Sequence, residues 1–155
     1  MKKLAILGSS GTIGTYVLNV ARKYPQKFKI QSLCVNNNIQ SLIQSAWEFL
    51  PQAVGVFDSS IDYKYLKEQL PPNTKLYIGE QAPEQTIDLD DVDIVVAASS
   101  GIASLKAVML GISQGKTIAL ANKEVLVCAG EIIMNAAQKI KFYLLTASIR
   151  QFFNA

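Results

Sequence analysis

A short apolar run, Leu4-Ala5-Ile6-Leu7, breaks directly into Gly8-Ser9-Ser10-Gly11-Thr12-Ile13-Gly14, after which apolar residues recur at helical spacing. A strand that stops in a glycine-rich turn and opens a helix is the phosphate-cradling start of a dinucleotide-binding fold. Each glycine has a physical role in that reading. Gly8 lets the chain turn off the strand, Gly11 lets backbone approach a pyrophosphate, and Gly14 lets helix lie close on sheet. The anion would rest on the free N–H groups of the helix start, at the positive end of its dipole. The spacing is G-x-x-G-x-x-G rather than G-x-G-x-x-G, so an ordinary strand-to-helix turn is the competing reading. Its place directly behind a clean strand favours the nucleotide.

The rest of the chain repeats the same alternation. Strand-like runs occupy 3–7, 28–35, 53–57, 75–78, 94–98 and 117–120. Between them, Ile13, Tyr16, Val17, Val20 and Ala21 lie on one helical face, and so do Ile39, Leu42, Ile43, Ala46, Trp47 and Leu50. Further helices are expected over 62–70, 102–113 and 124–139. Such βαβα order predicts an α/β fold of the Rossmann-like, doubly wound kind, a mostly parallel sheet with helices on both faces. Trp47 and Met109 fall on apolar faces and are expected in the core. The acidic group Asp88, Asp90, Asp91 and Asp93 precedes a buried strand and reads as a solvated loop with a helix-cap role rather than a cation site.

Composition narrows the function. With 155 residues, 50% hydrophobic and 17% charged, the chain is long and apolar enough for one globular domain. No apolar stretch approaches a membrane span, and Gly8 ends the first apolar run too early for a signal peptide, so a cytoplasmic protein with no membrane partner is expected. Cys34 and Cys128 have no metal or redox spacing and are expected as reduced core thiols. The absence of histidine removes Ser-His-Asp and Cys-His catalysis and the usual histidine zinc sites. Charge is unevenly spread. Residues 1–47 hold Lys2, Lys3, Arg22, Lys23, Lys27 and Lys29 and no acid, whereas all 12 acidic residues follow. A basic first third around a glycine loop suits a polyphosphate, while scattered lysines without a stacking array of aromatics argue against nucleic acid.

Three further segments carry chemistry. In dinucleotide folds an Asp or Glu at the end of the second strand binds the 2′-hydroxyl of NAD and repels the 2′-phosphate of NADP. Here that strand runs into Asn36-Asn37-Asn38, which favours NADP; alternatively, Asn38 caps the next helix, and both can hold. Ser99-Ser100-Gly101 follows the strand at 94–98, at the sheet edge that faces the ligand crevice, where a small loop can pass close to a cofactor; a simple connecting loop accounts for it equally well. Asn122-Lys123-Glu124 follows the strand at 117–120 at the same edge. Lys123 there suits a substrate phosphate or carbonyl oxygen, and Asn122 and Glu124 suit hydrogen bonds to the nicotinamide side of a cofactor. The bland alternative makes Asn122 a helix cap and Glu124 its dipole partner.

These residues resemble a family. Lys3-Leu4-Ala5-Ile6-Leu7-Gly8-Ser9-Ser10-Gly11-Thr12-Ile13-Gly14 is similar to the opening of 1-deoxy-D-xylulose 5-phosphate reductoisomerases. Gly115-Lys116-Thr117-Ile118-Ala119-Leu120-Ala121-Asn122-Lys123-Glu124, followed by Leu126-Val127-Cys128-Ala129-Gly130-Glu131, is similar to their second hallmark. The resemblance covers residues 1 to about 143. It implies an NADPH-binding Rossmann-like domain over 1–143, from an enzyme of the non-mevalonate isoprenoid pathway. That enzyme uses NADPH and a divalent metal, magnesium or manganese, to convert 1-deoxy-D-xylulose 5-phosphate to 2-C-methyl-D-erythritol 4-phosphate, and acts as a homodimer on this small phosphosugar. By the same resemblance Ser10, Gly11, Thr12 and Ile13 serve the cofactor pyrophosphate, and Asn36, Asn37 and Asn38 the 2′-phosphate. Asn122 and Glu124 are further cofactor contacts, and Lys123 binds substrate. The chain departs from the family at Asn36 and Asn37, where Gly or Lys is frequent, at Ser99-Ser100, which replaces a more apolar pair, and at Val125, which replaces Ser.

After the last helix the family continues into Pro-x-Asp-Ser-Glu-His, whose Asp and Glu bind the metal. This chain holds no carboxylate side chain after Glu131, so the hard oxygen ligands that metal-assisted chemistry needs are missing from it. One choice of codons for residues 143–155, with a single C restored after the Tyr143 codon, spells Tyr-Pro-Ile-Asp-Ser-Glu-His-Ser-Ala-Ile-Phe-Gln-Cys. Residues 144–155 are therefore expected to be a frameshifted tail, with the catalytic and C-terminal domains absent and the chain inactive alone. Two other readings remain open. One is a non-catalytic nucleotide-binding or regulatory module. The other is a semialdehyde dehydrogenase, which needs a catalytic cysteine that Cys128, inside a helix, serves poorly. Sequencing the gene tests the tail: the motif is expected in the neighbouring frame, and a gene without it contradicts the frameshift.

Overall fold

The computed structural model describes residues 1–138 and 141–144. The elements follow in the order β1 (Lys2–Leu7), α1 (Thr12–Lys23), β2 (Phe28–Val35), α2 (Ile39–Phe49), β3 (Ala53–Val56), α3 (Tyr63–Gln69) and β4 (Lys75–Ile78). Then come α4 (Ala82–Ile87), β5 (Ile94–Ala97), α5 (Leu105–Ser113), β6 (Thr117–Leu120), α6 (Lys123–Ala137) and β7 (Phe142–Leu144). The strands form one seven-stranded sheet in the order β4-β3-β2-β1-β5-β6-β7, every neighbouring pair parallel. This is the expected doubly wound α/β architecture.

The two faces are legible in the pleat. Leu4 and Ile6 join one buried cluster with Val17 and Leu18 of α1, Leu42 of α2 and Leu66 of α3. Ala5 and Leu7, pointing the other way, join a second cluster with Ile87 of α4, Val108 and Ile112 of α5, and Val125 and Ile133 of α6. Side chains alternate across a strand, so a strand covered on both faces must be apolar throughout, and all of β5 is buried. A bulge disturbs the alternation once. Leu4 pairs with Ile30 but Ala5 pairs with Ser32, so β2 carries one extra residue at Gln31. As a result Ile30, Leu33 and Val35 all face the first cluster, while Ser32 turns to the second face and its Oγ donates to the Thr86 carbonyl at 2.6 Å.

Several expectations need correction. α4 and β7 were not among the expected elements. α4 has Pro in its first turn and buries Ala82, Thr86 and Ile87, a pattern too short to stand out by periodicity. α5 starts at Leu105, later than the expected 102, and α6 ends at Ala137. Trp47 is not core: it is 54% exposed and lies across the surface, with its Nε1 donating to the Gln69 carbonyl at 2.8 Å. Cys34 is a buried β2 residue, but Cys128 is exposed on α6. The acidic segment is a loop between α4 and β5, in which Asp88 sits at the C-cap of α4 rather than at a helix start. Its acids bind neighbours: Asp93 accepts from the Lys3 N–H at 2.8 Å and Asp91 pairs with the Lys3 ammonium at 3.0 Å. Lys116 plugs the same end, donating from Nζ to the Ile87 and Leu89 carbonyls at 2.6 and 2.7 Å. Burial pushes its pKa down, against the pull of Asp88 and Asp90. The tail expected over 144–155 lies, apart from the backbone of Leu144, outside the described residues.

Gly14 has a different role from the one expected. A Cβ there would lie 2.2 Å from the Gly8 carbonyl oxygen and 2.6 Å from the Ser9 Cα, so Gly14 packs α1 onto its own preceding turn rather than onto the sheet. A Cβ at Gly11 would meet nothing closer than 3.5 Å. Gly14→Ala is therefore expected to cost about 2 kcal/mol or more by overpacking. Gly11→Ala, at a helix N-cap, is expected to cost less than about 1 kcal/mol. Denaturant unfolding of the two variants checks the difference, and equal losses contradict it.

Candidate functional site

The sheet order reverses about β1: successive strands run from β1 through β2 to β4 on one side, and from β5 to β7 on the other. Ligands bind outside the carboxyl ends of strands at such a switch point. A cleft of about 610 Å3 opens there, walled by the β1–α1 turn, the ends of β2 and β5, and the start of α6.

The turn is built by backbone. Gly8 has φ +83°, and a Cβ on it would lie 2.5 Å from the Ser99 N, so only glycine lets the turn lie against the end of β5. The Gly8 and Ser9 N–H groups both donate to the Cys34 carbonyl of β2, at 2.8 and 3.0 Å. The turn is thus tied to both neighbours of β1. Gly11 then begins α1 with no side-chain cap and no acid in the first turn. No acid in that first turn offsets the partial positive charge of the helix start, and Ser10, Gly11, Thr12 and Ile13 line the cleft around it. Cys34 also lines the cleft, but burial pushes its thiol up to about 12, which keeps it neutral and unreactive.

The asparagine triplet divides. Asn36 lines the cleft. Asn37 and Asn38 are outside the lining, and Asn38 caps α2 by accepting the Ser41 N–H at 3.1 Å. The sequence leaves this strand end free of acids, yet the fold brings one to it from β3. The Asp58 N–H donates to the Asn36 carbonyl at 2.9 Å. Its carboxylate accepts the Ser60 N–H at 2.9 Å, and hydrogen bonding from the Ser60 hydroxyl and then from that N–H holds its pKa below the usual range; Asp58 is not part of the lining.

On the opposite wall Asn122, Lys123 and Glu124 start α6, and all three line the cleft. Asn122 Oδ1 accepts the Glu124 and Val125 N–H groups at 2.9 and 3.3 Å, while its Nδ2 donates to the carbonyls of Ser99, at 2.6 Å, and Gly101. A primary amide has two donor hydrogens and one carbonyl oxygen. All are engaged, so this side chain clamps the β5–α5 loop to α6. Glu124 reinforces the clamp by accepting the Gly101 N–H. Lys123 is exposed and makes no ion pair or hydrogen bond among the described residues, which leaves its ammonium available to the cleft. Sequence reasoning did not single out Phe57, Pro83, Ala103 or Ser104, which complete the walls. Ser104 falls inside the helix expected over 102–113, and its place just before α5 emerges only with the later start at Leu105.

Comparison with known proteins agrees with this geometry. The family model for 1-deoxy-D-xylulose 5-phosphate reductoisomerase matches residues 4–130. The enzyme of that name from Chlamydia pneumoniae is 41% identical over 140 residues, which is 90% of this chain and 36% of the relative. The chain therefore spans little more than a third of the length of the curated relatives it matches. Among solved structures, the reductoisomerase from Zymomonas mobilis in complex with NADPH superposes with a TM-score of 0.83 at 31% identity, covering 93% of this chain and 38% of that one. A DOX-P reductoisomerase in complex with magnesium gives the same TM-score and identity over 92% of this chain and 36% of that one. With the family model, the sequence relatives and the fold in agreement, the chain belongs to the 1-deoxy-D-xylulose 5-phosphate reductoisomerase family.

Proposed function

We propose that residues 1–143 are the NADPH-binding portion of a cytoplasmic 1-deoxy-D-xylulose 5-phosphate reductoisomerase. The observation that carries this reading is the uncapped, acid-free start of α1, held by Gly8 and Gly14 at the mouth of a cleft on the sheet's switch point. The superposition on an NADPH complex supports it. In this reading the first-turn N–H groups of Thr12 and Ile13, with the Ser10 and Thr12 hydroxyls, hold the pyrophosphate, and Gly11, whose own N–H donates to the Gly8 carbonyl, lets the backbone come close to it. Asn36 donates to the 2′-phosphate, with Asn37 and Asn38 shaping its loop. Lys123 meets the phosphosugar substrate from the α6 side. Asn122 and Glu124 serve the cofactor by fixing the loop beneath it. The bound cofactor supplies a hydride, and the protein's part is to orient it and exclude water.

Among the described residues, no group of three or more His, Cys, Asp or Glu side chains could hold a metal. The donor set for magnesium is therefore not found in them, and no step is assigned to it. Without those ligands we infer that the chain binds the cofactor but does not convert 1-deoxy-D-xylulose 5-phosphate to 2-C-methyl-D-erythritol 4-phosphate alone. The frameshifted tail over 144–155 belongs to the same proposal.

Titrating the purified chain with NADPH and NADH, beside a turnover assay, tests both parts. NADPH is expected to bind more tightly than NADH, with no turnover. Turnover by the chain alone refutes its inactivity, and failure to bind either nucleotide refutes the cofactor reading. Asn36→Asp is expected to weaken NADPH binding roughly tenfold or more and NADH binding far less, because a carboxylate there repels the 2′-phosphate. Equal effects on the two nucleotides would place Asn36 away from that group.

A further inference from the structure

Asn36 is tied by its backbone to a residue that lies outside the cleft lining. The last pair of the β2–β3 ladder is Val35 beside Val56. Two further bonds carry the strands together past that point. The Phe57 N–H donates to the Val35 carbonyl at 3.0 Å, and the Asp58 N–H donates to the Asn36 carbonyl at 2.9 Å. Beyond Asp58 the chain leaves the sheet for α3. An aspartate can turn the backbone by accepting the N–H two residues on, and Asp58 Oδ1 accepts the Ser60 N–H at 2.9 Å. The far end of the same loop is anchored too. Ile61 packs against the first buried cluster, and Asp62 caps α3 by accepting the Tyr65 N–H at 2.6 Å.

The Asn36 side chain lines the cleft and makes no hydrogen bond among the described residues, so its backbone decides where its amide points. The bond from Asp58 joins that backbone to β3. A group held in place before binding loses less conformational entropy when a ligand engages it. The Asp58 carboxylate has a second possible influence, because an ionised acid near a 2′-phosphate repels it. Here that carboxylate is spent on Ser60, and Asp58 does not line the cleft. Geometry therefore outweighs charge. We propose that Asp58 is a positioning residue for cofactor choice: its side chain sets the turn after β3, and that turn holds Asn36 where its amide meets the 2′-phosphate. Alanine at 58 keeps the backbone N–H but loses the turn that directs it. The inference rests on the reading of Asn36 given above and deepens it.

Calorimetric titration of the full chain and its Asp58→Ala and Asp58→Asn variants with NADPH and NADH tests this role. The difference between the two nucleotides isolates the 2′-phosphate. D58A is expected to bind NADPH roughly fivefold more weakly, the effect of losing one hydrogen bond of ordinary strength, and NADH as the native chain does. Asparagine also accepts the N–H two residues on, so D58N is expected to keep the native NADPH affinity or exceed it. NADPH affinity that rises in both variants makes the charge of Asp58 the dominant effect and overturns the proposal. An unchanged D58A, proportional losses for NADPH and NADH, or a D58N that loses as much as D58A overturns it too. In each of these cases a native chain that prefers NADPH leaves the reading of Asn36 standing. A native chain without that preference overturns the reading and the positioning role together.

Discussion

The close approach of backbone to backbone at Gly8 governs this structure. The turn after β1 lies against the first residues beyond β5, at a separation that leaves no room for a Cβ. The Gly8 carbonyl is in turn roofed by Gly14, so the first turn of α1 sits on the loop that precedes it. Two absent side chains thereby decide where the helix begins, and with it where its positive end points. The bonds from Gly8 and Ser9 to Cys34 tie the same turn to β2, so it is braced from both sides of the switch point. Gly11 stands apart. Its surroundings in the protein would accept a methyl group, so the space it leaves serves whatever occupies the cleft.

Opposite this turn, the site is divided into groups that hold and groups that are free. The Asn122 amide is fully consumed in joining the β5–α5 loop to α6, and Glu124 adds a bond to the same loop. Between them Lys123 is left without a partner among the described residues, its backbone fixed at the helix start. A cation on a rigid base facing a cleft is a better-defined binding group than one on a mobile loop, because less conformational entropy is lost when a ligand is held. The saturated Asn122 amide thus fixes the base of Lys123 and the loop carrying Ser99, while Glu124 uses one carboxylate oxygen on the same loop.

Most of the sheet was legible because the strands are buried on both faces and read as short apolar runs. The bounds expected for the strands at 28–35, 75–78 and 117–120 are those of β2, β4 and β6. What escaped was set by tertiary context. α4 is a single short turn stabilised by burial, and β7 is an edge strand that exists by pairing with β6. Trp47 follows an apolar period, yet its indole N–H is satisfied at the surface by the Gln69 carbonyl. In the site, residues in the glycine turn and at strand ends could be named because their place depends on local chain geometry. The arrival of Asp58 beside Asn36 is invisible in sequence order, since it depends on the registration of β3 against β2. The capping of α6 by Asn122 was legible, but the spending of its Nδ2 on Ser99 and Gly101 was hidden, because those partners lie far away in sequence.

The central claim is that the start of α1 receives the phosphates of a dinucleotide. Following the backbone amide resonances of the chain during titration with NADPH tests it most directly. The account predicts that the Gly11, Thr12 and Ile13 amides shift strongly, with Asn36 and Ser99 moving in the same titration. Saturable binding that leaves the Gly11, Thr12 and Ile13 amides unmoved would contradict it.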